Sequence, residues 1–378
     1  MTALDPGFVT PHRDIHSEQG ALPGEHPGRD RRALTKVTDL AWLEFEKPDL
    51  NRTAAFAHDF GLTVAEQTRD HLLLRGTDAG PACVRVRRGP RSRFVGPALR
   101  VSDRADLRRL ADATGTSINP LDESVGGQGL VLTDPSGLPV RVVEGVTEYP
   151  ATAEQSSLTV NVGGRRPRVN ETQRPPREPA KVRRLGHIAL ANRVFGGSLD
   201  WYLHNFGLIV SDFLYLDGQR DRGPVMAFIR CDRGSLPSDH HTLAMLLAPE
   251  TGYVHSAFEV SDLDALAAGG EYLKDRGYQR SWGIGRHIQG SQIFDYWRDP
   301  ERLMVEHYTD GDVFDNTLDP GWAPMSASGL AQWGPAATSD FLGTTPSPTL
   351  VKAAVEALRE DNEIDLRRLT GLMKAMKR

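Results

Sequence analysis

The chain has 378 residues, of which 39% are hydrophobic and 25% charged, and its formal net charge is −5 at pH 7. This composition is typical of a globular protein of two or three domains, and the acidic balance argues against nucleic acid as a partner. No apolar run approaches the roughly 20 residues of a membrane-spanning helix, and the N-terminus lacks the apolar core of a secretory signal. Two cysteines, Cys83 and Cys231, cannot make a disulfide framework. We therefore expect a cytoplasmic protein with free, buried thiols and no membrane partner.

The first part of the chain divides into an arm and an organised region. Residues 1–34 are rich in Pro, Gly, His and charge, which predicts a flexible N-terminal arm. Residues 35–149 predict a domain in which a strand, a helix and several strands occur twice. Asp39–Phe45 has the pattern of a strand and Leu50–Phe60 that of a helix, and the second set begins near Gly96.

Residues 150–182 interrupt this pattern. They are dense in Pro, Arg and Gly, which predicts a linker between domains. We expect its basic side chains to be solvated, because the overall charge is acidic.

From residue 183 the earlier pattern returns, which indicates an internal duplication. The segment around Trp42 corresponds to that around His187, and the His-x-Phe-Gly-Leu sequence after His58 recurs after His204. The offset between corresponding residues grows along the chain, as loop insertions in the second copy require. An internal repeat is stronger evidence for architecture than local propensity is.

Three positions change chemical type between the two copies. Trp42 of the first copy corresponds to His187 of the second, Gly96 corresponds to His255, and Arg141 corresponds to Glu306. Two histidines and a carboxylate on strands are typical of a non-haem Fe(II) centre with open coordination positions, although Zn²⁺ and Mn²⁺ accept the same ligands. The second copy, residues 183–310, is therefore predicted to hold a metal.

The stretch from Gly285 to Glu306 makes the prediction more specific. It contains, in order, Gly285, His287, Tyr296, Asp299, Pro300 and Glu306. These residues resemble the signature of the type I extradiol ring-cleavage dioxygenases of the vicinal oxygen chelate superfamily, and the resemblance extends over residues 35–310. Asp295 stands where that family usually has an apolar residue, which is expected to alter the pocket wall, and Arg302 stands where Gly or Pro is usual, which is expected to alter only the turn.

The resemblance implies an α+β fold of two glyoxalase-like domains. Each domain consists of two βαβββ modules that form a curved sheet, and the metal site lies in the C-terminal domain. The implied metal ligands are His187, His255 and Glu306.

The resemblance also implies roles around the metal. His241 is similar to the family's acid–base histidine, although His240 has nearly the same spacing from the second ligand; the following Thr242 favours His241. His287 and Tyr296 resemble the two groups that hydrogen-bond the substrate oxygens.

The implied activity is Fe(II)-dependent cleavage of a catechol ring next to the diol, with O₂ as co-substrate and a ring-opened semialdehyde or oxo acid as product. Mn(II) is the alternative metal. We expect a hydrophobic or bicyclic catechol as substrate and a homo-oligomer as the assembled state.

Three alternatives share this fold. An enzyme like 4-hydroxyphenylpyruvate dioxygenase has the same ligands and takes an α-keto acid, but its chemistry does not use the set of His241, His287 and Tyr296. Glyoxalase-type isomerases usually build their site across two chains or copies. Non-catalytic aromatic-ligand binding proteins typically lack the three metal ligands.

Residues 311–378 form a C-terminal tail outside the repeat. Trp322 and Trp333 are predicted anchors, and the end of the tail predicts amphipathic helix that docks on the protein or on a subunit. The predicted apolar stripe comprises Leu366, Leu369, Met373 and Met376.

Overall fold

The structure is a computed structural model that describes residues 17–325, 330–344, 348–359 and 363–376. The elements up to residue 144 are β1 (Glu18–Gln19), β2 (Val37–Lys47), α1 (Leu50–Asp59), β3 (Thr63–Gln67), β4 (His71–Arg75), β5 (Val84–Arg88), β6 (Arg93–Val101), α2 (Arg104–Thr114), β7 (Asn119–Pro120), β8 (Gln128–Thr133) and β9 (Pro139–Glu144). The next set is β10 (Arg184–Asn192), α3 (Phe195–Phe206), β11 (Leu208–Tyr215), β12 (Met226–Cys231), β13 (Ser238–Asp239), β14 (Leu243–Leu247), β15 (Gly252–Glu259), α4 (Leu263–Asp275), β16 (Gln279–His287), β17 (Ile293–Arg298) and β18 (Met304–Thr309). The tail contributes β19 (Val313–Phe314), β20 (Gly321–Pro324), β21 (Ala331–Trp333), α5 (Pro348–Ala357) and α6 (Leu366–Ala375).

The two halves of the chain have the same topology. The strand order is β3-β4-β5-β2-β6-β9-β8-β7 in the first sheet, and β11-β12-β14-β10-β15-β18-β17-β16 runs through the second. Each position in one order corresponds to one position in the other, and each half consists of two strand-helix-three-strand modules, with the two-residue β13 as an addition. The predicted α+β fold is therefore confirmed.

Equivalent helices begin with the same local signal. Asp103 accepts a hydrogen bond from the Asp106 backbone N–H at the start of α2, and Asp262 accepts one from Ala265 at the start of α4. Such an N-cap contributes on the order of 1 kcal/mol to helix stability. The Val-Ser-Asp sequence occurs at residues 101–103 and again at residues 260–262, and in both copies its Asp caps the helix that follows the strand.

Strand register confirms the correspondence between the two copies. The paired residues of the first sheet are Trp42 and Ala98, Glu44 and Gly96, and Arg141 and Ala98. The matching pairs of the second sheet are His187 and Ala257, Ala189 and His255, and Glu306 and Ala257. The three ligand-type residues therefore occupy the sheet positions of Trp42, Gly96 and Arg141.

The arm differs from its prediction within the described residues. Strand β1 pairs with β20 of the tail, and Arg220 forms ion pairs with Glu18 and Glu25. Backbone pairing and ion pairs do not require a periodic pattern of apolar residues, so the sequence of the arm gave no sign of this anchoring. Residues 1–16 lie outside the described residues.

Residues 150–182 are largely irregular and exposed until their end. Ala180 and Val182 are fully buried, and the Ala180 carbonyl occupies the space that a Cβ at Gly61 would need. Gly61 also has a φ of +95°, so this position requires glycine for two reasons.

The tail extends both edges of the second sheet. Strand β20 pairs with β11, and β21 pairs with β16. Of the two predicted anchors, Trp322 is buried, whereas Trp333 is 45% exposed.

The predicted stripe on the last helix is wrong. Leu366 is 71% exposed and Met373 51% exposed, while the buried face of α6 carries Arg368, Leu372 and Ala375. The helix docks through polar contacts as well, because the Arg368 guanidinium bonds the Arg222 carbonyl, and a hydrophobicity pattern does not register such contacts.

Both cysteines are buried and free, as predicted. Burial raises the pKa of Cys83 and of Cys231 to about 12, so both are neutral thiols at pH 7. Among the described residues, no helix has the length and apolarity to cross a bilayer.

A buried charge cluster joins the two halves at the Asp-Pro turn before β18. The Lys47 ammonium, at the end of β2, bonds the Asp299 carboxylate and lies 2.9 Å from Glu301 Oε2. The three side chains are between 5% and 11% exposed. Removing one member of a buried ion pair is costly because the remaining charge keeps its desolvation penalty.

We predict that Lys47→Met lowers the free energy of unfolding by about 3 kcal/mol. The control is Lys36→Met, whose ammonium is 57% exposed beside Asp232 and should contribute less than about 1 kcal/mol. Denaturant unfolding of both variants measures the difference. Equal losses in the two variants would contradict the prediction.

Candidate metal centre

Three neighbouring strands of the second sheet bring together the predicted metal ligands. His187 lies on β10, His255 on β15 and Glu306 on β18, and these strands are adjacent in the sheet. His187 Nε2 and His255 Nε2 are 3.2 Å apart, and each is 3.3 Å from Glu306 Oε2. Three possible ligand atoms, one from each residue, lie within 4.8 Å of one another. Strand pairing thus places three metal-binding groups around one point.

The burial of this cluster fits a cation. Glu306 is 0% exposed and His187 2% exposed, and both Glu306 oxygens lack a hydrogen-bond partner. A buried carboxylate is unfavourable unless a positive charge or hydrogen bonds compensate it. Two imidazole nitrogens and an unsatisfied carboxylate are a donor set that Fe(II), Mn(II) and Zn(II) all accept.

Burial and the neighbouring side chains act in opposite directions on the protonation of this cluster. Burial raises the pKa of Glu306, but His187 and His255 outweigh it, and the net pKa lies far below the usual range. Burial lowers the pKa of His187, which favours the neutral imidazole. An ionised carboxylate and a neutral imidazole are the forms that bind metal.

The structure separates the two adjacent histidines. The His241 ring packs against the His187 ring with centroids 3.9 Å apart, whereas His240 turns its Nε2 to the Asp212 carboxylate at 2.7 Å. The two rings meet through their Nδ1 atoms, which are 2.9 Å apart. His241 therefore lies beside the ligand cluster, and His240 lies behind it.

His287 and Tyr296 lie at the other side of the cluster. Their side chains are joined by a hydrogen bond of 2.9 Å between His287 Nε2 and the Tyr296 hydroxyl, and His287 Nε2 is 3.9 Å from Glu306 Oε1. Burial is the main factor that lowers the pKa of His287 to about 4 and raises that of Tyr296 well above 10. The imidazole is therefore neutral and the phenol protonated at pH 7.

Aromatic side chains line the wall beside Tyr296. Phe341, from the tail, lies 4.8 Å from the Tyr296 ring and 4.4 Å from the Trp282 ring between centroids. Phe294 stacks on His287 at 4.2 Å. This part of the centre is apolar and is completed by a segment outside the repeat.

Asp295 does not form the pocket wall that the sequence predicted. It is 0% exposed and pairs with Arg280, at 2.9 Å between Nε and Oδ1, on the face of β17 opposite Tyr296. The second departure concerns the turn, as predicted. Arg302 has a φ of +73°, a conformation that glycine adopts more easily, which explains why glycine is usual there.

Two further histidines lie away from the ligand cluster. His307 follows Glu306 but points to the opposite face, where its ring stacks on Phe60 and its Nε2 lies 2.7 Å from the Phe60 carbonyl oxygen. His204 pairs with Asp30 near the surface.

Sequence reasoning missed three residues at the centre. They are Asp212, which bonds His240, Leu330, whose carbonyl oxygen is 2.8 Å from His287 Nδ1, and Phe341. Asp212 is not part of a recognisable motif, and Leu330 and Phe341 belong to a tail without hydrophobic periodicity. The sequence around these residues therefore did not indicate a role at the centre.

Comparison with known proteins agrees with the fold. No family model matches the chain. The chain is 29% identical to metapyrocatechase 2 of Cupriavidus necator over 337 residues, which is 88% of this chain and 98% of that protein.

Two solved structures share the architecture. The Mn(II)-bound glyoxalase of Novosphingobium aromaticivorans has a TM-score of 0.66 and 22% identity, over 83% of this chain and 95% of that one. A variant of homoprotocatechuate 2,3-dioxygenase from B. fuscum has a TM-score of 0.65 and 17% identity, over 84% of each chain. At these identities the two structures support the fold.

We predict that Glu306→Gln lowers the metal content after anaerobic loading with Fe(II) by at least about 10-fold, because the amide is a weaker ligand without charge. Metal analysis of the purified protein measures this. The control is His204→Ala, whose imidazole is half exposed and pairs with Asp30. Full metal content in Glu306→Gln would contradict the assignment.

Proposed function

We propose that this chain, an enzyme of the extradiol dioxygenase group in the vicinal oxygen chelate superfamily, cleaves a catechol-type ring next to its two hydroxyls with O₂. The product is a ring-opened semialdehyde or oxo acid. The observation that carries the proposal is the buried cluster of His187, His255 and Glu306 with the neutral imidazole of His241 packed against it.

The proposed metal is Fe(II), held by the three clustered side chains. Bound there, it supplies a centre that lowers the pKa of the diol and lets the diol and O₂ meet. Mn(II) is the alternative, since the ligand set suits both.

The first copy of the repeat is the natural control for this assignment. Its corresponding residues are Trp42, Gly96 and Arg141, which cannot form a metal site. We therefore propose residues 35–149 as a domain without metal and residues 183–310 as the catalytic domain.

His241 is proposed as the acid–base group. Burial, followed by the nearby His187 and His240, lowers its pKa well below 6.5, so the imidazole is neutral at pH 7 and can accept a proton from a diol hydroxyl. Once protonated, it can return that proton to an oxygen that develops negative charge during ring cleavage. His240, with its Nε2 on Asp212, is turned away from the cluster.

Tyr296 is proposed as the hydrogen-bond donor to a substrate oxygen. Its phenol remains protonated, and its current acceptor, His287 Nε2, lies within 4 Å of Glu306. A substrate oxygen at the cluster can replace His287 as the acceptor. His287 donates its Nδ1–H to the Leu330 carbonyl, so its Nε2 is an acceptor and can then take a hydrogen bond from a substrate hydroxyl.

The site favours a catechol without a carboxylate substituent. Its wall is formed by Trp282, Phe294 and Phe341. The basic residue next to His287 in the sequence is Arg286, and its guanidinium bonds the Ser291 carbonyl and the Asp310 carboxylate. A hydrophobic or bicyclic catechol matches this lining.

The α-keto acid alternative shares the metal ligands and differs in the surrounding groups. That reaction needs no acid–base histidine, whereas here His241 is buried against a ligand. A non-catalytic role is disfavoured because the three ligands are present together.

We predict O₂ uptake when Fe(II)-loaded protein is mixed with a catechol, and none with 4-hydroxyphenylpyruvate. An oxygen electrode measures uptake, and the yellow colour of the ring-opened product gives a second signal. Parallel loading with Mn(II) separates the two metals. Uptake with the keto acid alone would favour the alternative.

We predict that His241→Asn lowers kcat by about 100- to 10,000-fold, as expected for loss of general acid–base catalysis. Metal content and binding of the diol to the anaerobic enzyme should be retained, since neither requires His241. Stopped-flow spectroscopy measures binding and steady-state assays measure kcat. His204→Ala is the matched histidine control. Normal turnover in His241→Asn would remove His241 from the mechanism and implicate His240.

A further inference from the structure

A line of hydrogen bonds extends from His241 away from the cluster. His241 Nδ1 lies 2.9 Å from His240 Nδ1, and His240 Nε2 lies 2.7 Å from Asp212 Oδ2. The two imidazoles are 4% and 1% exposed, and Asp212 is 9% exposed. The line is therefore shielded from water along most of its length.

With His240 neutral, the chemistry of the three groups sets the direction of these bonds. An ionised carboxylate only accepts, so His240 must donate its Nε2–H to Asp212. A neutral His240 then carries a lone pair on Nδ1 and accepts from the Nδ1–H of His241. The Nε2 of a neutral His241 is left as the basic nitrogen of that ring.

The surroundings hold His240 and Asp212 in this arrangement. The His240 backbone N–H donates to the Asp312 carbonyl at 2.8 Å, and its carbonyl accepts from Ser211 Oγ at 2.6 Å. A Cβ at Gly290 would lie 2.9 Å from His240 Nδ1, so the space beside the ring has no room for a side chain at this position.

Asp212 is itself oriented by the anchored N-terminal segment. Ser17 Oγ donates to Asp212 Oδ1 at 2.5 Å, which leaves Oδ2 for His240. Asp212 also lies at a bulge in the pairing of β11 with β12, where a side chain can be redirected.

We propose that Asp212 and His240 are positioning residues that hold His241 in the tautomer with a proton on Nδ1 and a lone pair on Nε2. The catalytic consequence rests on the proposed function, because this is the tautomer that can accept a proton from a diol. The tautomer itself is a property of the protein alone. The same logic explains the large loss that follows when an aspartate behind a catalytic histidine is replaced by asparagine in serine proteases.

The first test is NMR of the metal-free protein labelled with ¹⁵N-histidine. Chemical shifts distinguish protonated from unprotonated ring nitrogens, and the His240 and His241 signals are assigned by their loss in His240→Gln and His241→Asn. We expect a protonated Nδ1 and an unprotonated Nε2 in His241, and a protonated Nε2 in His240. A proton on Nε2 of His241 would overturn the proposal, whether or not any catechol is a substrate.

The second test is Asp212→Asn. Its amide can donate to His240 Nε2 and thereby reverse both bonds, so a signal from protonated Nε2 of His241 should appear. We expect kcat to fall on the order of 100-fold, with KM and metal content unchanged. Asp232→Asn, a carboxylate of the same half that pairs with Lys36, is the control.

The two readouts keep the outcomes distinct. An unchanged His241 tautomer in Asp212→Asn would overturn the role of Asp212, even if kcat fell. An inactive wild-type enzyme that still shows the expected tautomer would count against the proposed function and leave the positioning intact.

Discussion

The burial of one carboxylate governs the second half of this protein. Glu306 is fully enclosed between two imidazoles on adjacent strands, and neither of its oxygens has a hydrogen-bond partner. Such a group is costly in a protein interior unless a charge compensates it. Strands β10, β15 and β18 bring the carboxylate and the two imidazoles to one point. A cation bound at that point would compensate the negative charge of the buried carboxylate.

The first copy solves the same problem with its own side chains. Arg141 occupies the position of Glu306 and lies 2.8 Å from Glu44, which is fully buried on β2, two strands away in the sheet, and also pairs with Arg87. The ion pair brings a cation and an anion from the protein itself, so no metal is needed. Duplication therefore preserved the sheet while the charge arrangement inside it diverged. This contrast is the strongest physical reason to regard the three ligands as functional, because the first copy forms the same sheet without them.

The sequence predicted what depends on periodicity and on the repeat. The module order and the correspondence of His187, His255 and Glu306 with Trp42, Gly96 and Arg141 follow from the repeat, and the strand register shows both. Contacts between distant segments left no such pattern. Ser17 reaches Asp212 from the N-terminal segment, and Asp295 turns to Arg280 on the far face of its strand. Charge pairing of this kind is decided by three-dimensional proximity, which neither composition nor spacing reports.

The repeat and the tail contribute different properties to one centre. The repeat provides the ligands and His241, all fixed by strand pairing and buried contacts. The tail provides the Leu330 carbonyl that holds His287 and the Phe341 ring that packs on Tyr296. The contact with His287 uses a backbone carbonyl and so does not depend on the side chain at position 330. The contact with Tyr296 depends on the size and shape of the Phe341 ring. Changes in the tail can therefore alter which ring fits beside Tyr296 while the geometry of the metal ligands stays the same.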